Sequence, residues 1–385
     1  MKVIVGMSGG VDSSVTVCLL KEQGYDVEGL SLVLYETRLR RKFGGCCSIE
    51  SIKDAGKTAD KIGVAHTSID LRNEFMTHVI EPFINGYAGG ITPNPCILCN
   101  KHIKFPYLLR YADEKGAELI ATGHYARVER NNKLQVTSSN SDKSLRDSAL
   151  VTPNTLLRKG IDARKDQSYV LYVLGQEALS RLILPLGDKR KAEVREIART
   201  LDLPAARRLE SQDICFIEDN DCGAFIHGLL PEERGPGPIV HLRSGETLGM
   251  HKGVHFYTIG QRKGLGISSP EPLYVVKTNT HTNTIFVGPK EDAMEREFTV
   301  DEVNWLVPPP PSEWHHNSPP AVPSLRGLAC LAGRGVPTNR GGGVVLRGNG
   351  KLHEFRVSVK VRSMMKDEPA TLSLLDDGRV RIMYD

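Results

Sequence analysis

The sequence predicts an α/β protein whose first half is a doubly wound parallel sheet and whose second half is rich in β-structure. Three observations support this prediction. An apolar run at residues 3 to 5 suits a buried strand, and Val11, Val15, Cys18 and Leu19 follow at the spacing of one helical face. Strand-like and helix-like segments then alternate to about residue 205. From residue 206 onward the pattern changes to short, glycine-rich, strand-like segments.

Each element of the first half is predicted from its own hydrophobic pattern. Strands are expected at residues 3 to 5, 26 to 34, 64 to 69 and 118 to 121. Helices are expected at residues 11 to 24, 49 to 62, 72 to 87, 169 to 182 and 191 to 201. Residues 131 to 155 are polar and turn-rich, which indicates an exposed excursion. A parallel sheet binds ligands at the carboxyl ends of its strands, where Gly123 and His124 fall.

The change of pattern predicts three domains, at residues 1 to 205, 206 to 271 and 272 to 385. Strand-like segments in the second and third domains lie at residues 235 to 240, 256 to 266, 273 to 277, 351 to 361 and 370 to 384. Residues 307 to 350 contain a run of four prolines at 308 to 311, followed by Ser, Gly, Arg and Pro with little periodicity. Such a composition buries too little apolar surface to order itself and predicts a disordered insertion.

The composition is that of a globular protein. The chain has 385 residues, of which 40% are hydrophobic and 25% charged, and its formal net charge is +4. No apolar run is long enough to span a membrane, and the first strand begins too early to leave room for a leader peptide. We therefore expect a cytoplasmic protein. In that compartment its eight cysteines indicate catalysis or metal binding rather than a disulfide framework.

Residues 6 to 14 read Gly-Met-Ser-Gly-Gly-Val-Asp-Ser-Ser and join the first strand to the first helix. We call residues 6 to 10 the glycine turn. Its glycines allow close backbone approach, and the N–H groups at a helix start attract an anion. The alternative is an ordinary tight turn capped by serines. The candidate phosphate-binding residues are Gly6, Met7, Ser8, Gly9, Gly10, Val11, Asp12 and Ser13.

A second chemical signal is the string Thr-Pro-Asn-Pro-Cys-Ile-Leu-Cys at residues 92 to 99. Its prolines favour an extended segment that turns into a helix at Cys96 and Cys99, where N–H groups favour thiolates. A structural zinc site would need two more ligands and normally a second matching pair. The best further candidate is Cys215. Three cysteines suit either a [4Fe-4S] cluster with one open iron or a pair that exchanges sulfur beside a third thiol. By contrast, Cys18 lies on an apolar helical face and is interpreted as core.

Several long strings together carry a resemblance to a known family. They lie, in order, at residues 6 to 14, 46 to 47, 92 to 105, 121 to 127, 165 to 169, 211 to 216 and 257 to 266. The first string resembles the PP-loop of ATP pyrophosphatases, and the whole set resembles the tRNA-specific 2-thiouridylase family over residues 1 to about 306. The resemblance implies a PP-loop (adenine nucleotide alpha hydrolase-like) domain, a small central domain and a C-terminal β-barrel-like domain. The last domain is expected to be interrupted at 307 to 350 and truncated at residue 385.

The resemblance also implies cofactors, partners and site residues. ATP would bind the glycine turn with Mg2+ held through pyrophosphate by Asp12, and Leu32 and Gly123 would complete the ATP site. The residues implied to contact tRNA are Asn94, Pro95, Cys96, Lys165, Asp166, Gln167 and Arg362. The expected partners are the tRNAs for lysine, glutamate and glutamine and a sulfur donor, either sulfide or a cysteine desulfurase relay. No membrane partner is expected.

The implied reaction is 2-thiolation of the wobble uridine of tRNA. The C2 oxygen is a poor leaving group, so ATP first adenylates it and releases pyrophosphate, and a sulfur nucleophile handled by Cys99 and Cys215 then displaces AMP. In a persulfide route, Cys215 receives the sulfur and Cys99 resolves the product as a disulfide. In a cluster route, which the sequence favours, Cys96, Cys99 and Cys215 hold three irons and the fourth binds the attacking sulfide. The rival functions are an amidating PP-loop ligase and a non-catalytic, zinc-containing tRNA-binding protein.

Overall fold

The computed structural model of the protein describes residues 1–35, 49–130, 155–207, 214–217, 222–227, 229, 235–300, 303–304, 306, 344–346, 354–359, 368–375 and 379–385. Three residues singled out by the sequence, Cys46, Cys47 and Arg362, lie outside the described residues. Nearly all of the predicted insertion at 307 to 350 lies outside them too.

The chain divides into two compact units. Unit 1 consists of Met1–Arg72, Asn100–Glu210 and Asn304–Pro311. Unit 2 consists of Asn73–Cys99, Ser211–Val303 and Ser312–Asp385. The segment that ends in the C-x-x-C pair therefore belongs to unit 2, although it interrupts the sequence of unit 1.

Unit 1 is built on a parallel sheet. Its strands are β1 (Lys2–Gly6), β2 (Asp26–Val33), β3 (Ala65–Asp70), β4 (Leu119–Ala121), β5 (Ala126–Arg130), β6 (Thr155–Lys159) and β7 (Leu182–Ile183). Within the described residues, five of them form a sheet in the order β3-β2-β1-β4-β7, in which every pairing is parallel. β5 and β6 pair separately in antiparallel fashion. The predicted α/β architecture of the first half is confirmed.

Most helices begin and end close to the predicted positions. They are α1 (Val11–Glu22), α2 (Ile49–Ile62), α3 (Arg72–Phe75), α4 (Glu81–Ala88), α5 (Pro95–Leu98), α6 (Phe105–Glu114), α7 (Gln176–Arg181), α8 (Lys191–Thr200) and α9 (Cys222–His227). π-helical turns join α3 to α4 at Met76–Ile80 and α5 to α6 at Cys99–Lys104. The helix predicted at residues 169 to 182 is wrong in its first part. A 3-10 turn at Ser168–Val170 is followed by extended backbone at Gly175, which starts α7.

Helices cover both faces of the parallel sheet. On one face, Val3 and Val5 pack in a core with Val17 and Leu20 of α1 and with Ala55 and Ala59 of α2. Side chains alternate along a strand, so Gly6 faces the opposite side. There, Leu108 of α6 lies 3.3 Å from the position that a Cβ on Gly6 would take. Since β1 is the central strand, its carboxyl end and the glycine turn are held from both sides of the sheet.

Unit 2 contains two sheets among its described residues. The first has the order β10-β11-β8-β9 and consists of β8 (Gly237–His241), β9 (Thr247–His251), β10 (Tyr274–Asn279) and β11 (Thr284–Gly288), so it extends across the predicted boundary at 271. The second is antiparallel, in the order β12-β16-β15-β14-β13, and consists of β12 (Glu297–Val300), β13 (Val344–Leu346), β14 (Glu354–Val359), β15 (Glu368–Leu374) and β16 (Val380–Tyr384). β13, an apolar tripeptide, lies inside the segment 307 to 350.

The strand predicted at residues 256 to 266 is wrong. These residues form turns in which Gly260, Gly264 and Gly266 have φ angles of 80°, 78° and 69°. Left-handed backbone of this kind cannot continue a strand, and glycine adopts it at little cost. The apolar residues that suggested a strand, Tyr257 and Leu265, instead pack into the core of the first sheet of unit 2. In the part of the chain that the structure describes, no helix is long and apolar enough to cross a membrane.

Candidate active site

The glycine turn has the backbone geometry of an anion-binding strand-to-helix junction. β1 ends at Gly6, and Gly10 is the N-cap of α1 in extended conformation. Gly9 has a φ of 73°, and a Cβ placed on it would lie 1.9 Å from the carbonyl oxygen of Ser51. Only glycine therefore fits at this position. The N-terminus of the 12-residue helix α1 provides the positive end of a helix dipole at the turn.

Hydrogen bonds from β2 hold the start of the turn in place. The Met7 N–H donates to the Leu30 carbonyl oxygen (2.8 Å), and the Ser31 hydroxyl donates to the Met7 carbonyl oxygen (2.7 Å). Because the Ser31 hydroxyl uses its one O–H in the bond to Met7, it accepts a hydrogen bond from His66 Nε2, which lies 2.8 Å away. Burial lowers the pKa of His66 and so favours the neutral ring that makes this contact. Leu32, predicted to contact ATP, follows on the same strand.

Serine side chains brace the inside of the turn. The Ser13 hydroxyl donates to the Gly10 carbonyl oxygen (3.2 Å) and accepts from the Ser8 N–H (3.2 Å). These bonds tie the residues before the helix to its first turn. Ser8 and Ser13 are therefore parts of the turn itself, and the backbone surrounding them is fixed before any ligand arrives.

Gly123, from the carboxyl end of β4, packs directly against the start of α1. A Cβ on Gly123 would lie 2.9 Å from the Asp12 carbonyl carbon and 3.0 Å from the Asp12 Cβ. β4 is the parallel neighbour of β1, with Val5 opposite Ala121. Two predicted ATP-site residues, 123 and 12, are thus brought together at the carboxyl edge of the sheet, as the parallel arrangement requires.

Asp12 is held by two partners that the sequence analysis did not identify. Lys191 Nζ lies 2.7 Å from both carboxylate oxygens, and the Tyr125 hydroxyl donates to Oδ1 at 2.8 Å. The Lys191 side chain is 13% exposed and that of Asp12 33%. A single, partly exposed carboxylate beside a phosphate-binding turn suits Mg2+, which binds through one or two carboxylates together with substrate phosphates. Asp12 therefore fits the metal role predicted for it.

The segment at residues 165 to 167 supports Tyr125, the residue whose hydroxyl contacts Asp12. Gln167 exchanges two hydrogen bonds with Tyr125: its Oε1 accepts from the Tyr125 N–H (2.9 Å), and its N–H donates to the Tyr125 carbonyl oxygen (2.8 Å). Asp166 is buried, and its carboxylate accepts from Gly160 and twice from Ser168. The Asp166 carboxylate and the Oε1 and backbone N–H of Gln167 thus make hydrogen bonds within unit 1. Their predicted contact with tRNA stays a prediction, as does that of Lys165.

The cysteine pair of unit 2 begins a helical run, as predicted. Asn94 is the N-cap of α5, and its Oδ1 accepts from the Cys96 N–H at 3.0 Å. Pro95 occupies the first helical position, where its missing N–H costs nothing. Cys96 is exposed, whereas Cys99, one turn later, is buried. The two thiols of the C-x-x-C pair therefore differ in their access to solvent.

The segment that carries Cys215 rests on the same helical scaffold as the cysteine pair. The Phe216 ring packs edge to face on two other rings: its centroid lies 5.6 Å from that of Phe75 and 5.5 Å from that of Phe83. These two rings flank the turn Met76–Ile80, against which α5 packs. Cys215 is half-buried. The segments of the chain that contain Cys99 and Cys215 thus pack on the same helical elements of unit 2.

The described cysteines do not form the predicted cluster site. All five of them, Cys18, Cys96, Cys99, Cys215 and Cys222, are thiols rather than disulfide partners. Within the described residues, no group of three His, Cys, Asp or Glu side chains is placed to hold a metal ion. Cys96, Cys99 and Cys215 all lie in that part of the chain, so their arrangement does not fit three ligands of a [4Fe-4S] cluster.

Cys18 behaves as the sequence suggested. It lies in a core with Val15 of α1 and with Leu186 and Val194. Desolvation raises the pKa of its thiol to about 11, so the thiolate is disfavoured at neutral pH.

The fold and the glycine turn define this protein as an α/β nucleotide-binding protein of the PP-loop type. Comparison with family models agrees: residues 1–219 match the family described as "tRNA methyl transferase HUP domain", and residues 223–289 match the one described as "tRNA methyl transferase PRC-barrel domain".

Comparison with curated proteins makes the assignment more specific. The chain is 44% identical over 308 residues to tRNA-specific 2-thiouridylase MnmA 2 of Thermoanaerobacter sp. (strain X514), covering 79% of each chain. It is 36% identical over 387 residues to MnmA of Clostridium botulinum (strain Alaska E43 / Type E3), covering 100% of this chain and 90% of the relative. It is 45% identical over 306 residues to MnmA of Heliobacterium modesticaldum, covering 79% of this chain and 74% of the relative. The chain belongs to the tRNA-specific 2-thiouridylase family, whose members are tRNA-uridine 2-sulfurtransferases.

Proposed function

We propose that this protein catalyses the ATP-dependent 2-thiolation of the wobble uridine of tRNA. The observation that carries the proposal is the presence of two features in a member of this family: in unit 1 an anion-binding turn with a carboxylate at its edge, and in unit 2 two cysteine segments packed on one scaffold. The first feature suits adenylation and the second suits sulfur transfer. The substrates implied by the resemblance are the tRNAs for lysine, glutamate and glutamine.

The first step is adenylation of the uridine. The C2 oxygen attacks the α-phosphorus of ATP, the bond from that phosphorus to the bridging oxygen breaks, and pyrophosphate leaves. The backbone at Gly9 and Gly10, together with the dipole of α1, is suited to stabilise the leaving pyrophosphate. Mg2+, held through Asp12, would neutralise part of its charge. Gly123, in contact with Asp12, would border the adenine side.

The second step is sulfur transfer. The terminal sulfur of a Cys215 persulfide attacks C2, and AMP leaves with the oxygen that was C2–O. The Cys99 thiolate then attacks the Cys215 sulfur of the resulting Cys–S–S–C2 linkage. The products are 2-thiouridine and a Cys99–Cys215 disulfide, which an external dithiol reduces. A cysteine desulfurase relay would supply the persulfide sulfur. We prefer this route because the described cysteines do not provide a three-ligand iron site.

The base must leave the anticodon stack for this chemistry, because C2 is not accessible in a stacked base. The exposed start of α5 suits contact with an extruded uridine, since Cys96 lies at the surface there. The Asn94 side chain fixes the first turn of this helix and so sets the position of the surface. Asn94, Pro95 and Cys96 are accordingly proposed to contact the base, and Lys165 the RNA.

A different chemistry is suggested by the family-model descriptions, which name a tRNA methyl transferase. A methyl transfer needs neither a pyrophosphate-binding turn nor a pair of cysteines. The two classes are separated by their co-substrates. We therefore propose incubating the protein with tRNA and ATP and measuring AMP and pyrophosphate, with S-adenosylmethionine in a parallel reaction. Formation of AMP and pyrophosphate that depends on tRNA supports thiolation, whereas methyl transfer without ATP consumption refutes it.

An amidating PP-loop ligase would also release AMP and pyrophosphate. It would use ammonia and a carboxylate acceptor, and its product formation would not depend on tRNA. A non-catalytic tRNA-binding protein would release neither product. The same assay, with and without tRNA, separates these functions from the one proposed. A cytoplasmic location, where tRNA is modified, stays a prediction.

A further inference from the structure

Lys191 makes a close charged contact with Asp12, two residues after the glycine turn. It is the first residue of α8, and its ammonium lies 2.7 Å from each oxygen of Asp12. The Tyr125 ring, whose centroid is 5.6 Å from Nζ, lies beside the pair, and its hydroxyl completes the contacts of Asp12. The Lys191 side chain is 13% exposed, so its ammonium has exchanged most of its hydration for contacts within the protein.

The backbone holds the start of α8 in this position. The Lys191 N–H donates to Asp162 Oδ2 at 3.0 Å, and the Arg190 N–H donates to Glu193 Oε2 at 2.6 Å. Farther along the helix, Val194 packs in the same core as Val11 of α1. The packing of α8 on α1 therefore fixes the position of the Lys191 ammonium relative to Asp12.

Lys191 balances the negative charge that Asp12 brings to the glycine turn. Residues 6 to 14 contain no basic side chain, and Asp12 is their one charged residue. An unpaired carboxylate here would repel the polyphosphate of ATP, which is itself strongly negative. It would also attract free Mg2+ before the nucleotide arrives. Pairing with Lys191 neutralises the carboxylate while the site is empty.

We propose that Lys191 is an exchangeable cation of the nucleotide site. In the resting protein it occupies Asp12 and keeps that carboxylate from binding a free divalent ion. When ATP arrives with its metal, Asp12 gives up Lys191 to become a metal ligand, and the released ammonium binds the polyphosphate. The positive charge stays in the site and changes its partner. This inference rests on the proposed function, because it assumes that the glycine turn binds the polyphosphate of ATP.

Lys191→Met tests both halves of the exchange, since it keeps the length of the chain and removes its charge. Binding of Mn2+ alone, followed by electron paramagnetic resonance, should become about tenfold tighter than in the wild type because the competing ammonium is gone. Binding of pyrophosphate in the presence of Mg2+, followed by calorimetry, should become about tenfold weaker because the phosphate loses a cation. Lys191→Arg, which keeps the charge, should bind Mn2+ no more tightly than the wild type.

Lys61→Met is the matched control. It removes another Lys–Asp ion pair of unit 1, in which Lys61 Nζ lies 3.0 Å from Asp202 Oδ2, just beyond the opposite end of α8. This variant should bind Mn2+ and pyrophosphate like the wild type. Adding Asp12→Asn to Lys191→Met should abolish the gained Mn2+ affinity, which assigns that affinity to Asp12. Thermal unfolding of each variant establishes that it is folded.

One result would refute only the exchange of Lys191, and another would refute the nucleotide site as well. If the wild type binds pyrophosphate but Lys191→Met binds Mn2+ no more tightly than the wild type does, the exchange is overturned while the proposed function stands. If the wild type binds no pyrophosphate with Mg2+, the nucleotide site itself is refuted, and the exchange is refuted with it.

Discussion

Gly123 lies against the backbone of Asp12, so that a Cβ on Gly123 would be 2.9 Å from the Asp12 carbonyl carbon. The contact joins the carboxyl end of β4 to the first turn of α1, and so fixes the carboxylate that is proposed to hold the metal. We therefore propose that the lack of a side chain at residue 123 is what lets β4 pack this closely against the nucleotide site.

Gly123→Ala should push α1 away from β4. Because the added methyl group meets backbone atoms and a Cβ, we expect a loss of stability of about 1–3 kcal/mol and weaker binding of AMP and pyrophosphate. Urea unfolding and calorimetry measure these two effects. Gly175→Ala is the control: a Cβ there meets no atom within 4 Å, so nucleotide binding should be unchanged. Equal binding by both variants would argue against the role of this contact.

Asp12→Ala should stop adenylation and leave the fold intact. The side chain is partly exposed and its partners are Lys191 and Tyr125, so removal empties the metal position without opening the core. We expect tRNA-dependent pyrophosphate release to fall by about 10²–10³-fold, the usual cost of losing one transition-state contact. A variant that releases pyrophosphate at the wild-type rate would remove Asp12 from the site.

Cys99→Ser and Cys215→Ser should each abolish 2-thiouridine formation, because a hydroxyl neither carries nor resolves a persulfide. Release of pyrophosphate should survive in both, since the glycine turn is on a different segment of the chain. Cys18→Ser serves as the control. Its thiol is buried in a core and has a raised pKa, so thiolation should be nearly unchanged. The assignment fails if either Cys99 or Cys215 proves dispensable.

Cys96→Ser separates the two sulfur routes. The persulfide route needs two thiols, so we expect this variant to keep most of its activity, and we expect the wild type to stay colourless after anaerobic incubation with iron and sulfide. Serine is close to cysteine in size and Cys96 is exposed, so this substitution should not disturb the packing of α5. A brown wild-type protein with about four irons per chain, whose colour and activity are lost in Cys96→Ser, would establish the cluster route instead.

The burial of His124 predicts how the free energy of unfolding depends on pH. His124 is buried, stacks on Phe105 and lies 2.8 Å from Thr122 Oγ1, and desolvation puts its pKa well below the ordinary value. The unfolded chain takes up the proton first, so the stabilisation is present above about pH 6.5 and is lost as the pH falls below that value. The free energy of unfolding should fall by up to about 1.4 kcal/mol per pH unit from this group alone.

Urea unfolding between pH 7.5 and about pH 5 measures this slope. His124→Gln should reduce it, whereas His281→Gln, at an exposed position, should leave it unchanged. The same slope in both variants would show that His124 does not titrate in this way.

Local patterns were sufficient to predict the parallel sheet, the glycine turn and the helix start at the cysteine pair. Each depends on residues that are neighbours in sequence: apolar strand residues before the turn, glycines within it, and proline and asparagine before Cys96. The resemblance, now confirmed by relatives that match most of the chain, added the reaction. The strand expected at residues 256 to 266 failed because glycine φ angles outweighed a few apolar residues.

The electrostatic partners of the site were beyond the reach of pattern analysis. Lys191 is 179 residues from Asp12 along the chain and reads as one residue of a basic stretch. Tyr125 is 113 residues away, although its position directly after Gly123 and His124, at the end of a predicted strand, was a signal that could have been used. Contacts of this kind follow from the order of strands in the sheet and the packing of α8 on α1, which the sequence does not state.

The most direct test of the proposed function is a mass spectrum of the nucleosides from tRNA that has been incubated with the protein, ATP, Mg2+ and a persulfide donor. The proposed function predicts 2-thiouridine at the wobble position, formed only when ATP is present and absent with Asp12→Ala and with Cys99→Ser. An unmodified wobble uridine despite tRNA-dependent release of AMP and pyrophosphate, or a methylated nucleoside in its place, would contradict it.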